Sequence, residues 1–455
     1  MQKTATLWAF RVVLAAGLLA GLQFWLLAPA EALPSFARQT GQPCTTCHAG
    51  FPELTPYGRM FKLRGYSDSI WDSNYPEQPP VAVMIQPQFT HTEGTQTPGT
   101  NPRFKANNDF TMQSGSIFYG GKIAYTAGAF VQTTWNNGGT SNRYFLDTSD
   151  LRYANENTAF NQDFVWGLDV NNAPTIEDVW NTTPNWSYPF AASNLAPTPS
   201  ATTLVEGGLN SKVAGGGAYA LWNDLIYADV TLYRPLSPEA QTTIGISPYQ
   251  QDRAQGTIPY WRVALQPSWN EHAFEVGTFG MQESRYPTGL ETSGTDHITD
   301  VGFDAQYQYL GDVNYVSFMT SWIHESQNRD ASYNLGLSAR NRDTLQRFKA
   351  KASYIYDNTY EGTVGYFNTS GSTDATLYST NNAAGSPAAA GYNFQLDYLI
   401  MKHSMMGNVW PWAGGRISLM YTMYTKFNGA GRNYDGNGRS AWDNNTLFLV
   451  AWLAF

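Results

Sequence analysis

Gly391-Tyr-Asn-Phe-Gln-Leu-Asp-Tyr-Leu-Ile400 alternates residue by residue: Tyr392, Phe394, Leu396, Tyr398 and Ile400 fall on one side, Asn393, Gln395 and Asp397 on the other. Successive side chains of an extended chain point to opposite faces, so this stretch reads as a strand with one apolar and one polar face. Its length matches the roughly 9–11 residues with which a tilted strand crosses a bilayer. Apolar outward to lipid and polar inward to a lumen is the signature of a transmembrane β-barrel. Residues 416–427 repeat it, with Ile417, Leu419, Tyr421, Met423 and Phe427 against Arg416, Ser418 and Thr422. Val81, Val83 and Ile85 alternate with Ala82, Met84 and Gln86, and residues 122–135 place Ile123, Tyr125, Ala127, Ala129, Val131, Thr133 and Trp135 on one side.

Carried along the chain from residue 81, the pattern predicts an all-β, sixteen-stranded outer-membrane barrel over 81–455. The strands are expected at 81–91, 110–119, 122–135, 147–154, 160–170, 213–222, 225–234, 257–268, 272–281, 297–309, 312–325, 344–356, 359–370, 391–403, 412–427 and 443–455. Short connections at Gly120-Gly121, Trp222-Asn-Asp224, Leu310-Gly311 and Asp357-Asn358 contrast with long ones at 92–109, 171–212, 235–256, 282–296, 326–343, 371–390 and 428–442. Short periplasmic turns and long extracellular loops are the usual asymmetry of such barrels. The stretch Leu447-Phe-Leu-Val-Ala-Trp-Leu-Ala-Phe455 reads as the closing strand, ending on an aromatic residue.

Composition agrees. The 455 residues are 15% aromatic and only 14% charged, with a mean hydropathy of −0.37, and beyond the N-terminal region no apolar run approaches the roughly 20 residues of a helical span. A water-soluble sandwich would need a dry core shared by two sheets, whereas the inward face here carries Gln, Asn, Asp, Lys and Arg. With 27 Lys+Arg against 36 Asp+Glu and a net charge of −9, the chain lacks the basic footprint of a nucleic-acid binder.

Residues 1–32 read as an export signal: Lys3 and Arg11, an apolar run from Val12 to about Ala28, then Ala30-Glu31-Ala32 as a peptidase site. Both cysteines of the chain then fall together in Cys44-Thr-Thr-Cys47-His48. Cys-x-x-Cys-His is the attachment signature of a c-type haem: two thiols one helical turn apart form the thioethers, and the adjacent histidine is delivered to the iron. A disulfide would leave the histidine without a purpose, and no second ligand pair follows at zinc-finger spacing. Residues 33–80 form the expected monohaem cytochrome segment, with a short helix near 55–63 capped by Thr55 and started by Pro56. So small a segment cannot shield a macrocycle by itself. The barrel has to complete the pocket, with the segment as a plug in its lumen or at its periplasmic mouth.

The runs Leu33-Pro-Ser-Phe-Ala-Arg-Gln-Thr-Gly41, Cys44-Thr-Thr-Cys-His48 and Phe51-Pro-Glu-Leu-Thr-Pro-Tyr-Gly-Arg-Met-Phe-Lys-Leu-Arg-Gly-Tyr66 closely resemble the fused monohaem cytochrome-porins, outer-membrane iron-oxidising c-type cytochromes. Asn171-Asn-Ala-Pro-Thr-Ile-Glu-Asp-Val-Trp-Asn-Thr-Thr-Pro184 also looks like that family. The resemblance implies one covalently attached haem c, a sixteen-strand barrel embedded in outer-membrane lipid, oxidation of extracellular Fe(II), and electron delivery to a periplasmic acceptor such as a soluble cytochrome c or copper protein. The family also includes members from organisms not known to grow on iron, so other extracellular partners, or a passive porin with a structural haem, stay open.

The iron ligands read from the sequence are His48 and, on the distal side, Met84, which shares the lumen-facing parity of Gln86 and Gln88 and lies close in sequence to the tethered haem. A thioether there would raise the potential. Met60 on the short helix and Met420 are rivals, and His91 lies too far out. Arg38, Arg59, Lys62 and Arg64 are candidates to pair with haem propionates or with inward carboxylates such as Asp397. Arg347, Lys349 and Lys351 share one face of their strand, opposite Phe348, Ala350, Ala352, Tyr354 and Tyr356, and so line the lumen. Glu93, Glu177, Asp178, Asp252, Glu283 and Asp296 are scattered outer-loop carboxylates able to attract a ferrous ion transiently.

Overall fold

A computed structural model describes residues 33–73, 76–96, 105–136, 143–207, 209–247, 252–401 and 413–455. The expected export signal, 1–32, lies outside the described residues. The strands are β1 Val81–Thr92, β2 Asp109–Ala124, β3 Ala127–Asn136, β4 Arg143–Ala159, β5 Gln162–Asn171, β6 Val213–Trp222, β7 Ile226–Pro235, then β8, which is interrupted as Arg253–Gln255 and Ile258–Leu265. They continue as β9 His272–Tyr286, β10 Asp296–Leu310, β11 Asn314–Asn328, β12 Arg342–Tyr356, β13 Tyr360–Gly371, β14 Ala389–Ile400, β15 Gly414–Lys426 and β16 Thr446–Ala454. Both pieces of β8 pair with β9, and Ser268–Trp269 adds a short pairing at the foot of β9, so the hydrogen-bonded segments make sixteen crossings.

Each strand pairs antiparallel with the next, and β1 pairs with both β2 and β16. Val83 N donates to Phe455 O at 2.9 Å and Phe455 N to Val83 O at 2.7 Å. Closure leaves no sheet edge, which is what a strand structure needs inside hydrocarbon. The faces divide as the alternation predicts. On β7, Val230 and Leu232 are 56% and 53% exposed, while Tyr227, Asp229, Thr231 and Tyr233 are buried. Tyr392, Phe394 and Leu396 point outward and Asn393, Gln395 and Asp397 inward. Exposed Tyr125, Phe160, Trp269, Tyr356 and Tyr360 girdle the short-turn rim, with Phe110 and Tyr144 near the other.

Three expectations need correcting. Gly120-Gly121 is not a turn: β2 runs through both glycines, and the chain reverses at Tyr125-Thr126. The glycines make room instead, because a Cβ on Gly120 would lie 2.6 Å from Leu33 Cδ1 and one on Gly121 2.7 Å from Pro80 Cβ. The alternation expected from residue 122 therefore begins only at Ala127. Similarly, β4 extends to Ala159, and the reversal falls at Phe160-Asn161, both in the left-handed region. The Asn223-Asp224 and Asp357-Asn358 turns stand as expected, each with positive φ at both residues.

The third correction concerns residues 172–212, expected as an external loop. The loop folds into the lumen, burying Ile176, Val179 and Trp180. Inward polar groups draw it there: Gln306 Nε2 donates to Trp180 O at 2.7 Å, Tyr227 Oη to Glu177 O at 3.0 Å, and Arg262 approaches Asp178 at 3.6 Å. Glu177 and Asp178 are accordingly buried and paired, and Glu283 on β9 and Asp296 at the start of β10 are buried against Arg285 and Ser332, not solvated loop acids.

Substituting Val230→Arg at the outward middle of β7 is expected to destabilise the barrel by about 2–4 kcal/mol, measured by denaturant unfolding in lipid vesicles.

Candidate functional site

The N-terminal segment is built from three short helices: α1 Pro34–Thr40, α2 Cys44–Cys47 and α3 Pro56–Leu63. Proline occupies the first turn of α1 and of α3, where its missing N–H costs nothing. Gly41 ends α1 with φ 65°, and Pro43 precedes α2. His48 N donates to Cys44 O at 2.8 Å, so the two thiols and the imidazole sit on consecutive turns of one short element. His48 and Leu54 then form a bridge that closes the loop 49–53.

Thr55 joins this element to α3. Its side chain caps Gly58 N at 3.2 Å and donates to Thr46 O at 2.5 Å, and its N–H donates to Cys47 O at 2.9 Å. Gly58 has to be glycine because a Cβ there would lie 2.2 Å from Cys47 O. His48 Nδ1 pairs with Pro52 O at 3.0 Å, which fixes the ring and leaves Nε2 as the other nitrogen. Enclosure of the ring lowers its pKa to about 4, so the imidazole is neutral above that pH. Cys44 and Cys47 form no disulfide, and burial raises the Cys47 thiol to about 12.

Both cysteines and His48 line one cavity. The walls come from three places: Phe36, Phe51 and Phe61 of the segment, Met84, Phe118, Phe130, Trp452 and Ala454 of the barrel, and Ile176, Asn181 and Trp186 of the infolded loop. Thr40, Gln42, Lys62, Tyr66 and Asn181 are its polar lining residues beside the cysteines and His48. The sequence pattern marks the wall aromatics only through lumen parity, which Phe118, Phe130 and Trp452 share and the loop residue Trp186 does not.

The loop beside His48 is held from outside the segment. Glu53 is buried, accepts from Gln308 Nε2 at 2.8 Å and Ser317 Oγ at 2.5 Å, and pairs with Lys351 at 2.5 Å. Arg416 donates to Phe51 O, and Asn181 Oδ1 accepts from Leu54 N at 3.1 Å. Four strands and the infolded loop thus clamp the residues that follow the histidine.

The sequence candidates divide accordingly. Met84 lines the cavity with Cys44, Cys47 and His48. Met60 packs instead against the cluster of Leu63, Trp180 and Tyr227, and Met420 lies with Phe448 and Val450. Lys62 lines the cavity while its Nζ donates to Ile176 O at 2.5 Å. Arg38 donates to Val81 O at 2.7 Å, and Arg59 to Leu54 O, Gln306 and Gln308, so both join the segment to the barrel. Arg64 pairs with Glu156 and Asp68, and Asp397 with Arg416 at 2.6 Å. Arg347 and Lys349 face the lumen as expected and pair with Glu206 of the infolded loop. His91 pairs with Asn108 at 2.8 Å, away from the cavity.

No protein-family model and no curated protein matches the chain. Among solved structures, it is similar to outer-membrane-expressed OmpT of Vibrio cholerae, at 10% identity and TM-score 0.43, covering 84% of this chain and 99% of that one. An anion-selective porin from Comamonas acidovorans gives 10% identity and TM-score 0.41, covering 82% and 98%. The outer-membrane channel DcaP of Acinetobacter baumannii gives 8% identity and TM-score 0.40, covering 82% and 96%.

Gly58→Ala is expected to push α3 away from the Cys47 carbonyl and to lower the midpoint of thermal unfolding relative to the unsubstituted protein. Lys351→Met leaves the Glu53 carboxylate buried without its cation and is expected to cost about 3–5 kcal/mol. Adding Glu53→Gln to the same chain recovers most of that loss, checked by thermal unfolding of both variants.

Proposed function

We propose that the chain is an outer-membrane electron-transfer protein that carries one haem c at Cys44, Cys47 and His48, oxidises extracellular Fe(II) and delivers the electrons to a periplasmic acceptor. One observation carries this reading: Cys-x-x-Cys-His opens into one largely apolar cavity whose walls the barrel and its infolded loop complete. Apolar walls and two thiols on one helical turn suit a thioether-linked macrocycle, and the cavity supplies the shielding that the segment alone lacks. Bound there, the haem would supply a reversible one-electron couple.

The protein's own residues set position and environment. Pro52 O fixes the His48 tautomer so that Nε2 is presented for ligation. The Glu53–Lys351 pair and Arg416 hold that loop against the barrel wall. Phe51, Phe118, Phe130 and Trp452 exclude water, and a dry, thioether-ligated site favours a high potential, suited to a donor as weakly reducing as ferrous iron in acid. Met84 would be the second side chain to hold the iron beside His48, because it alone of the three candidate methionines borders the cavity. A passive pore is the weaker reading, since the segment and the infolded loop occupy the lumen.

Anaerobic mixing of purified holoprotein with Fe(II) across a pH series is expected to give the reduced haem spectrum; absence of reduction at every pH rejects iron as donor. Met84→Ala is expected to lose the spectral signature of thioether ligation and to lower the midpoint potential, and an unchanged spectrum rejects Met84 as ligand.

A further inference from the structure

A second chamber lies directly above the first on the same wall. It is bordered by Gln86 on β1, Ser114 on β2, Gln132 and Thr134 on β3 and Asp147 on β4. Strand direction gives the order. On β3, which rises from the short turn at residues 125–126, Phe130 borders the lower cavity while Gln132 and Thr134 border the upper one. The upper chamber therefore sits on the long-loop side. Only three side chains, Met84, Trp186 and Trp452, line both spaces.

These three form a partition. Trp186 stands on the infolded loop, its ring centroid 6.1 Å from that of Trp452. Trp452 meets Phe51 at 5.0 Å, and Phe51 meets His48 at 5.2 Å. Ring contacts therefore run unbroken from the partition to the histidine. The chamber is lined by amides and hydroxyls together with Phe145, Phe190 and three prolines, and among its lining residues only Asp147 is charged, already accepting from Thr134 Oγ1 at 2.8 Å.

We propose that the upper chamber is where the electron donor stops, and that Trp186 with Trp452 is the partition across which its electron passes. This rests on the electron-transfer reading above and extends it to the donor's place and class. The donor is a small hydrated cation: the walls offer neutral oxygens that replace part of a hydration shell, while a single engaged carboxylate gives the more highly charged product little to hold it. In each event one Fe(II) becomes Fe(III), the group held by Cys44, Cys47 and His48 gains that electron, and no bond forms between donor and protein. The periplasmic acceptor then removes the electron.

Asn185 adjoins Trp186 and lines the upper chamber but neither the lower cavity nor the space beside Arg347 and Lys349. In holoprotein carrying Asn185→Cys, the native cysteines are occupied as thioethers, so the new thiol is the one target for a bulky membrane-impermeant maleimide added to intact cells. The expected result is a full mass shift, an unchanged haem spectrum, and at least a tenfold slower reduction by Fe(II), with reoxidation by a soluble cytochrome c unaffected. Hexaammineruthenium(II), a cationic one-electron donor, is run in parallel. If iron fails in the unlabelled protein while ruthenium reduces it and labelling slows that step, the iron assignment falls and the chamber proposal stands. No labelling from outside, labelling that slows neither donor, or an unlabelled holoprotein reduced by neither donor overturns the chamber. Trp186→Ala tests the partition without turnover: cyanide binding to the ferric protein is expected to accelerate at least tenfold, and an unchanged rate in a correctly folded variant overturns the shielding role.

Discussion

Charge buried inside the barrel governs the structure. Arg262 is enclosed with Asp178, Glu275 and Asp304, Arg416 with Asp397 and Glu361, and Lys351 with Glu53. An isolated charge in such surroundings is costly, so each must find a partner. Some partners lie outside the strands: Glu53 on the N-terminal segment, Asp178 on the infolded loop, and Glu206 of that loop, which pairs with Arg347 and Lys349. The lumen is therefore completed by the pieces that fill it. Segment, loop and barrel form one polar network around one apolar cavity.

That arrangement answers a size problem. The described part of the segment between Leu33 and Val81 has three short helices and cannot enclose a large flat ligand. Its own aromatics, Phe36, Phe51 and Phe61, make one side of the cavity. The rest is borrowed from β1, β2, β3, β16 and the loop. Because the loop beside His48 is fixed by Lys351, Arg416 and Asn181, the histidine's position is set by the barrel as much as by its own helix.

The barrel was legible because period-two alternation is a local signal: Gly391-Ile400 and the β7 run show the same faces in sequence and in space. The Cys44-x-x-Cys47-His48 motif and Met84's inward parity were legible for the same reason. What escaped was long-range. Gly120-Gly121 looks like a turn locally, and only the approach of Leu33 and Pro80 explains it. Glu177 and Asp178 look like surface acids until Arg262 and Tyr227, distant in sequence, are placed opposite them. Gly58 carries no visible reason to be glycine until α3 crosses the Cys47 carbonyl.

The pairing of β1 with β16 has a topological consequence. Met84 stands opposite Ala454 in that register, and Trp452 lies on the same strand as Ala454, so the cavity wall straddles the line where the sheet meets itself. Unrolled into a flat sheet, these side chains would sit at opposite margins, the full width of the sheet apart. The cavity is thus a property of the cylinder and of no smaller piece of it, and the cysteines and histidine acquire their surroundings only when the circle is complete.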